Sequence, residues 1–318
     1  MKILILRFSS IGDIVLTTPV VRCLKKQLNA EIHYFTKPAF AGILSSNPYI
    51  SKVHTLPDKV LPFLPELKKE KFDYVIDLHN NFRTFLIKRY LNVPAFSFDK
   101  LNRQKYLLVN FRINRMPDTH IVDRYMDTVK KLGVINDNEG LDYFIPEKDI
   151  VSPELFPETH RKKYAAVVAG ATFATKRLPD HKLAELCEKI DLPVIVVGGK
   201  TDTDAGNYLE NYFIRKSPGK IFNSCGKFNL NQSASIVQQA EKVYTHDTGL
   251  MHIASAFKKD IVSIWGNTVP EFGMYPYQTN FTVIENKNLS CRPCSKLGYN
   301  NCPKGHFRCM EDLSFEKI

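Results

Sequence analysis

The sequence predicts an α/β protein made of two Rossmann-like halves, and three observations predict it. Short apolar runs alternate with helical runs along nearly the whole chain, as parallel strands buried on both faces require. Several of these runs end in loops rich in glycine, hydroxyls and carboxylates that lead into a helix, the place where open α/β sheets bind ligands. The alternation breaks once, at residues 145–163, where three prolines stand without periodicity. That break reads as a linker between a domain at 1–150 and a domain at 151–318. The two are expected to face one another across a cleft.

Composition sets the class. A chain of 318 residues can build two full cores. Hydrophobic and charged contents of 44% and 24% are those of an ordinary soluble protein. No run approaches the ~20 apolar residues of a membrane span, and Arg7 interrupts the only apolar run near the N-terminus. A cytoplasmic protein is expected. The net charge of +11 gathers in Lys88-Arg89, residues 100–115 and 161–163, and Lys176-Arg177. Zinc-finger spacing, an RRM signature and a helix-turn-helix are all lacking, so nucleic acid is not expected as a partner. An anionic membrane face or a phosphorylated acceptor fits the same charge.

Taken in order, residues 2–8 form the first apolar strand, and Ser9-Ser10-Ile11-Gly12-Asp13 turns it into a helical run over 14–28. Pro19 lies inside that run, which therefore kinks or restarts with Thr18 as cap. Asp13 is either a helix cap or a carboxylate placed at a ligand-binding strand edge. Strands are expected at 31–35, 52–55, 74–78 and 95–98. Asp77-Leu78-His79 and Arg83 again put polar groups at a strand end, where His79 and Arg83 could touch an anionic acceptor or simply line a loop. Residues 100–116 interleave basic and apolar side chains, as either a membrane-facing amphipathic stretch or an exposed helix. A helix over 120–132 is stopped by Gly133.

In the second half, strands are expected at 164–169, 194–197, 221–222, 242–245 and 261–265, the last closing the alternation. Helices begin near Asp180, at 205, at 231 and at 250. The stretch Tyr244-Thr245-His246-Asp247-Thr248-Gly249 turns a strand into a helix N-terminus. Unpaired N–H groups and the positive dipole end there suit a phosphate. Thr248 and His252 share one face of that helix. Asp202-Thr203-Asp204 spells the D-x-D of metal-dependent sugar transferases, but a loop and helix cap explain it.

Several pieces run in order over nearly the whole chain: Arg7-Phe8-Ser9-Ser10-Ile11-Gly12-Asp13 with Pro19, Asp77-Leu78-His79, residues 172–179, Cys225-Gly226-Lys227, Asp247-Thr248-Gly249-x-Met251-His252-x-Ala254, and Trp265-Gly266-x-Thr268-x-Pro270. Together they resemble glycosyltransferase family nine, the ADP-heptose:lipopolysaccharide heptosyltransferases. The resemblance implies a GT-B fold and inverting transfer without a metal or other cofactor. It implies a nucleotide-sugar donor on the C-terminal domain and an anionic lipid-linked saccharide acceptor on the N-terminal one, with peripheral contact at the inner membrane. It further implies Asp13 as general base, Lys176 on the donor phosphates with Thr172 beside it, and Asp247, Thr248, Gly249 and His252 as donor contacts. Ser10 and Gly12 join His79 and Arg83 as acceptor-side candidates. The departures are His246, where a smaller or amide residue is expected, Leu178 in place of an aromatic, and a final helix that is short or missing.

The chemistry asks for these residue types. An acceptor hydroxyl loses its proton as it attacks the anomeric carbon, so a carboxylate must be in reach. The departing diphosphate gathers negative charge that a lysine and helix N–H groups can stabilise. Cys291-x2-Cys294-x7-Cys302-x6-Cys309 has metal-ligand character, yet it also resembles the C-terminal segment of the second-heptose branch of the family. No metal is assigned to it, and it is not expected to be catalytic. A different donor on the same fold, or a non-catalytic nucleotide-sugar-binding protein, stands as the alternative.

Overall fold

The computed structural model describes residues 1–56 and 60–316. The chain divides into two compact units, one of residues 1–101 and 119–144, the other of residues 102–118 and 145–318. The basic stretch after Leu101, which the sequence placed in the first half, thus groups with the second.

The first unit is a parallel sheet of five strands: β1 (Lys2–Leu6), β2 (Glu31–Thr36), β3 (Lys52–Thr55), β4 (Tyr74–Asp77) and β5 (Ala95–Ser97), in the order β3-β2-β1-β4-β5. Ile3 to Leu6 are fully buried because helices cover both faces of the central strand. The run after β1 splits into α1 (Ile11–Val15) and α2 (Thr18–Leu28), with Thr17 at the N-cap position and Pro19 in the first turn of α2. The restart therefore caps one residue earlier than the sequence suggested, and proline occupies a position whose N–H has no partner to lose. α3 (Leu64–Lys69) and α4 (Phe82–Leu91) follow, while α5 (Asn102–Phe111) belongs to the second unit. α6 (Ile121–Met126) is shorter than expected and relaxes into a 3-10 turn (Lys130–Leu132) that ends at Gly133, φ +77°. Arg22 of α2 is buried and ties the returning chain to the sheet, donating to Asp137 at 2.7 and 2.8 Å and to Asp142 at 2.5 Å.

The second unit has six parallel strands: β6 (Ala165–Val168), β7 (Val194–Val197), β8 (Ile221–Asn223), β9 (Lys242–His246), β10 (Asp260–Trp265) and β11 (Phe281–Glu285). Their order, β8-β7-β6-β9-β10-β11, is the doubly wound order of dinucleotide-binding folds. β11 was not expected from sequence, because no helix of regular length precedes it. The covering helices are α7 (Asp180–Glu188), α8 (Thr203–Lys216), α9 (Leu230–Gln239) and α10 (Gly249–Ala256). The proline-containing stretch 145–163 holds only three 3-10 turns. α11 (Arg308–Glu311) is a single turn; its Met310, with Leu313 and Phe315 just beyond it, packs into the core with Leu183 and Leu209. Leu108 of α5 packs on Val269 and Phe272, and Arg112 donates to the carbonyls of Ser290 and Cys291. Among the described residues no helix is long and apolar enough to cross a membrane.

Candidate active site

Each sheet reverses its strand order beside its first strand, between β1 and β4 in one unit and between β6 and β9 in the other. Ligands of open α/β sheets bind at the C-terminal ends of strands at such a point. The candidate residues gather at these two places.

In the first unit Arg7 follows β1 and turns inward. Its guanidinium donates to Leu78 O at 2.6 Å, Ser9 O at 2.7 Å and the Tyr125 hydroxyl at 3.0 Å, and meets Asp13 Oδ1 at 2.6 Å. The other carboxylate oxygen of Asp13 accepts from Ser10 N at 3.2 Å and Ser10 Oγ at 2.9 Å. Asp13 is thus a cap and an ion-pair partner together, a carboxylate fixed in orientation. His79 lies at the end of β4, its ring 5.0 Å from that of Phe8. Burial, and then the Arg7 charge, push its pKa down to about 4, so it is a neutral imidazole at neutral pH. Gly12 is buried within α1, and Arg83 stands exposed in the first turn of α4.

In the second unit the loop after β6 carries Lys176. Its ammonium sits 2.5 Å from Asp247 Oδ2 and 3.4 Å from the Asp247 carbonyl oxygen. Thr268, just past β10, donates to the same carboxylate oxygen at 2.9 Å. Three strand ends therefore converge on one carboxylate. Thr248, next to Asp247, stands at the N-cap of α10 in an extended conformation, φ −139°, so the helix, with its unpaired first N–H groups, begins at this strand end. His252, four residues on, is buried on the same helix. Thr172 stands exposed on the Lys176 loop.

The loop keeps its shape through contacts the sequence did not announce. His246 is fully buried, and its Nε2 accepts the Leu178 N–H at 3.0 Å. Burial holds its pKa down at about 4, with Arg177 adding to the effect and the Gly170 carbonyl opposing it. A neutral imidazole therefore joins the end of β9 to the loop that bears Lys176. Leu178 itself is a core side chain, which explains why an aromatic is not needed for packing there. Arg177 donates to Ala171 O at 2.6 Å and lies 3.5 Å from Asp202. Asp202 accepts from Gly199 N at 2.8 Å, so the D-x-D aspartate serves as a cap. A Cβ on Gly170 would lie 2.1 Å from the Asp202 carboxylate, and one on Gly266 would lie 2.7 Å from Thr175 O. Glycine is required at both by close approach.

The C-terminal cysteine segment is stitched onto the same loops. Tyr299 O accepts from Thr175 N and Oγ1, both at 3.1 Å, and Tyr299 N donates back to Thr175 Oγ1 at 2.8 Å. Arg292 donates to Thr268 O at 2.8 Å, to Gly266 O, and to Glu285 at 2.7 Å. All seven cysteines are free thiols. Among the described residues no three of the cysteine sulfurs come within 4.8 Å of one another.

Arg7, Thr268 and the anchoring part played by His246 were absent from the sequence-derived site. A charged residue closing an apolar strand and a hydroxyl just after Trp265-Gly266 were the available signals.

A family model described as "Glycosyltransferase family 9 (heptosyltransferase)" matches residues 60–303. A "Lipopolysaccharide heptosyltransferase 1" of Campylobacter coli is 28% identical over 316 residues, covering 89% of each chain. A "Lipopolysaccharide heptosyltransferase 2" of Salmonella typhimurium is 23% identical, covering 86% of this chain and 84% of the relative. The solved structure of E. coli ADP-heptose lps heptosyltransferase II shares the fold with a TM-score of 0.71 at 20% identity, covering 98% of both chains. A family 9 glycosyl transferase from Veillonella parvula gives the same TM-score at 24% identity, covering 89% of this chain and 85% of that one.

Proposed function

Since the chain belongs to glycosyltransferase family 9, and is a glycosyltransferase of GT-B fold, we propose that it transfers a heptose from ADP-heptose to a lipopolysaccharide inner-core acceptor with inversion, and without a metal. The observation that carries this reading is the convergence of Lys176, Thr268 and the α10 N-terminus around Asp247. It puts a lysine ammonium and a helix N-terminus beside a carboxylate that can accept from sugar hydroxyls. On donor binding Lys176 exchanges Asp247 for the diphosphate. Thr248 and Gly249 offer backbone N–H groups to the same charge, with Thr172 and His252 as further donor contacts.

Asp13 is the general base. It takes the proton of the acceptor hydroxyl as that oxygen bonds to the anomeric carbon, and the bond from that carbon to the diphosphate oxygen breaks on the opposite side. Attack opposite the leaving group inverts the centre. Arg7 and Ser10 hold the Asp13 carboxylate in a fixed orientation. The acceptor is an anionic lipid-linked saccharide, for which Ser10, Gly12, His79 and Arg83 are the candidate contacts. We assign residues 1–150 to acceptor binding and 151–318 to donor binding, the latter with α5 added. The work is placed in the cytoplasm at the inner membrane face, and exposed Tyr106 and Phe111 on α5, which also carries Arg103 and Lys105 and no acid, support peripheral contact.

The test pairs binding with turnover. Calorimetry with ADP-heptose, ADP, UDP-glucose and GDP-mannose, chelator present throughout, should show preference for ADP-heptose. Asp13→Asn should then bind donor as tightly as the parent and transfer nothing. A fully active Asp13→Asn would reduce Asp13 to a helix cap, and preference for another nucleotide sugar would replace the donor.

A further inference from the structure

Away from both strand-end sites, the first unit buries a pair of histidines that the transfer reaction does not use. His33 on β2 and His54 on β3 are 2% and 5% exposed, and His33 Nδ1 lies 2.9 Å from His54 Nε2. Glu70, which caps the end of α3, brings Oε2 to 3.8 Å from the same His33 nitrogen. Among the described residues this is the one set of three such ligand atoms mutually within 4.8 Å. Phe72 packs edge-on against His33, with ring centroids 5.3 Å apart, and Phe35 and Phe63 close around His54.

The outer hydrogen bond is informative. His33 Nε2 lies 2.9 Å from Glu31 Oε1, and a carboxylate there fixes the ring proton on Nε2. The lone pair of Nδ1 then points into the space shared by His54 Nε2 and Glu70. A carboxylate behind a histidine is the arrangement that orients metal-ligating imidazoles and raises their basicity. With the His33 proton on Nε2, the 2.9 Å contact calls for the proton of His54 on its Nε2. Glu70 is meanwhile held by Lys52 at 2.5 Å and Lys2 at 3.4 Å.

We propose that His33, His54 and Glu70 form a site for a divalent transition-metal ion, best suited to Zn2+, that cross-links β2, β3 and the end of α3. Two imidazoles and one carboxylate select a borderline ion over Mg2+ or Ca2+. A tetrahedral ion with Zn–N near 2.0–2.1 Å needs its nitrogens roughly 3.3 Å apart, so the histidines open by a few tenths of an ångström. His54 shifts its proton to Nδ1, and Lys52, whose side chain is 52% exposed, swings out to leave Glu70 with only the longer Lys2 contact at 3.4 Å. Water fills the fourth position on the Glu70 side. The site is structural and does not depend on the donor or acceptor assignments.

The experiment uses the untagged full chain, stripped with chelator, carrying Cys291→Ser and Cys294→Ser so that the cysteine segment does not compete. Titration with Co2+ should give one equivalent of a visible d–d band without a thiolate charge-transfer band, and Zn2+ should displace it and raise Tm. His54→Gln should abolish the band. Lys52→Ala, an exposed change that leaves the fold intact, should tighten Co2+ binding several-fold because it removes the nearer of the two lysines that compete for Glu70. Absence of a d–d band, a band that survives His54→Gln, or unchanged affinity in Lys52→Ala would each overturn the proposal.

Discussion

Replacing His246 tests what shapes the loop that presents Lys176. In His246→Phe the ring volume is kept, but the buried Leu178 N–H loses its acceptor, which costs about 1–3 kcal/mol. The loss falls two residues from Lys176, so KM for the donor should rise by about 5–30-fold, with a smaller change in kcat. His246→Gln offers a replacement acceptor and should recover most of both. The pH dependence gives a second, independent reading. The folded imidazole titrates at about 4 against an ordinary value of 6.5, so the unfolded chain takes up the proton first. The stability is therefore complete above about pH 6.5 and declines as the pH falls toward 4, by about 2 kcal/mol at pH 5. Urea unfolding between about pH 7.5 and 4.5 should show the parent losing this amount relative to His246→Gln, which has nothing to titrate there. Parallel stability curves for the two proteins, together with an unchanged donor KM in His246→Phe, would refute the anchoring role.

Other perturbations have equally definite outcomes. Gly266→Ala sets a Cβ 2.7 Å from the Thr175 carbonyl and 2.6 Å from the Met310 methyl; the methyl can move but the backbone cannot. It should cost about 1–3 kcal/mol in urea unfolding and weaken donor binding through the Lys176 loop. Thr268→Val removes one donor from Asp247 at nearly constant volume, so calorimetry should show donor affinity falling about 5–10-fold, the worth of one hydrogen bond, with little change in Tm. Arg22→Ala leaves Asp137 and Asp142 without their guanidinium and should cost about 3–5 kcal/mol. Arg22 holds the Asp137 carboxyl at about 2, so the contribution of that pair is present above the ordinary value of 3.8 and disappears as pH falls through 2. The deficit of Arg22→Ala, followed by thermal unfolding, should shrink accordingly in acid.

The alternating pattern made most strands legible. β3 and β7 match their expected bounds, β7 because it is an unbroken β-branched run closed by Gly198-Gly199 and β3 because Val53 and Thr55 alternate with polar residues ahead of Pro57. β11 escaped because it follows a long irregular stretch, and alternation of strand with helix was the template in use. α6 ended early because an amphipathic pattern marks a buried face without saying how far the backbone stays helical. The allegiance of α5 was not legible for a similar reason: periodicity shows that Leu108 wants burial and does not name Val269 and Phe272. At the candidate site, Asp13 and Asp247 stood out as acids at strand ends. The clamp on Asp13 did not, since Arg7 reaches Tyr125 across 118 residues of sequence. The meeting of Lys176 and Asp247 was open to sequence only through family resemblance, for the two loops are far apart in the chain and adjacent only once β6 and β9 pair.

The placement of α5 bears on how the molecule is made. The helix is synthesised inside the first unit's sequence, yet its apolar partners follow about 160 residues later. Until Val269 and Phe272 emerge, Leu108 and Val109 have no permanent cover, and the nascent chain carries an exposed apolar strip on α5. Such a strip is a natural handle for a chaperone and a hazard without one. Dissection at the linker inherits the complementary defect. A fragment of residues 145–318 would carry every strand of the second sheet and still display the bare seat of α5, so a soluble donor-domain fragment calls for residues 102–118 to be grafted back.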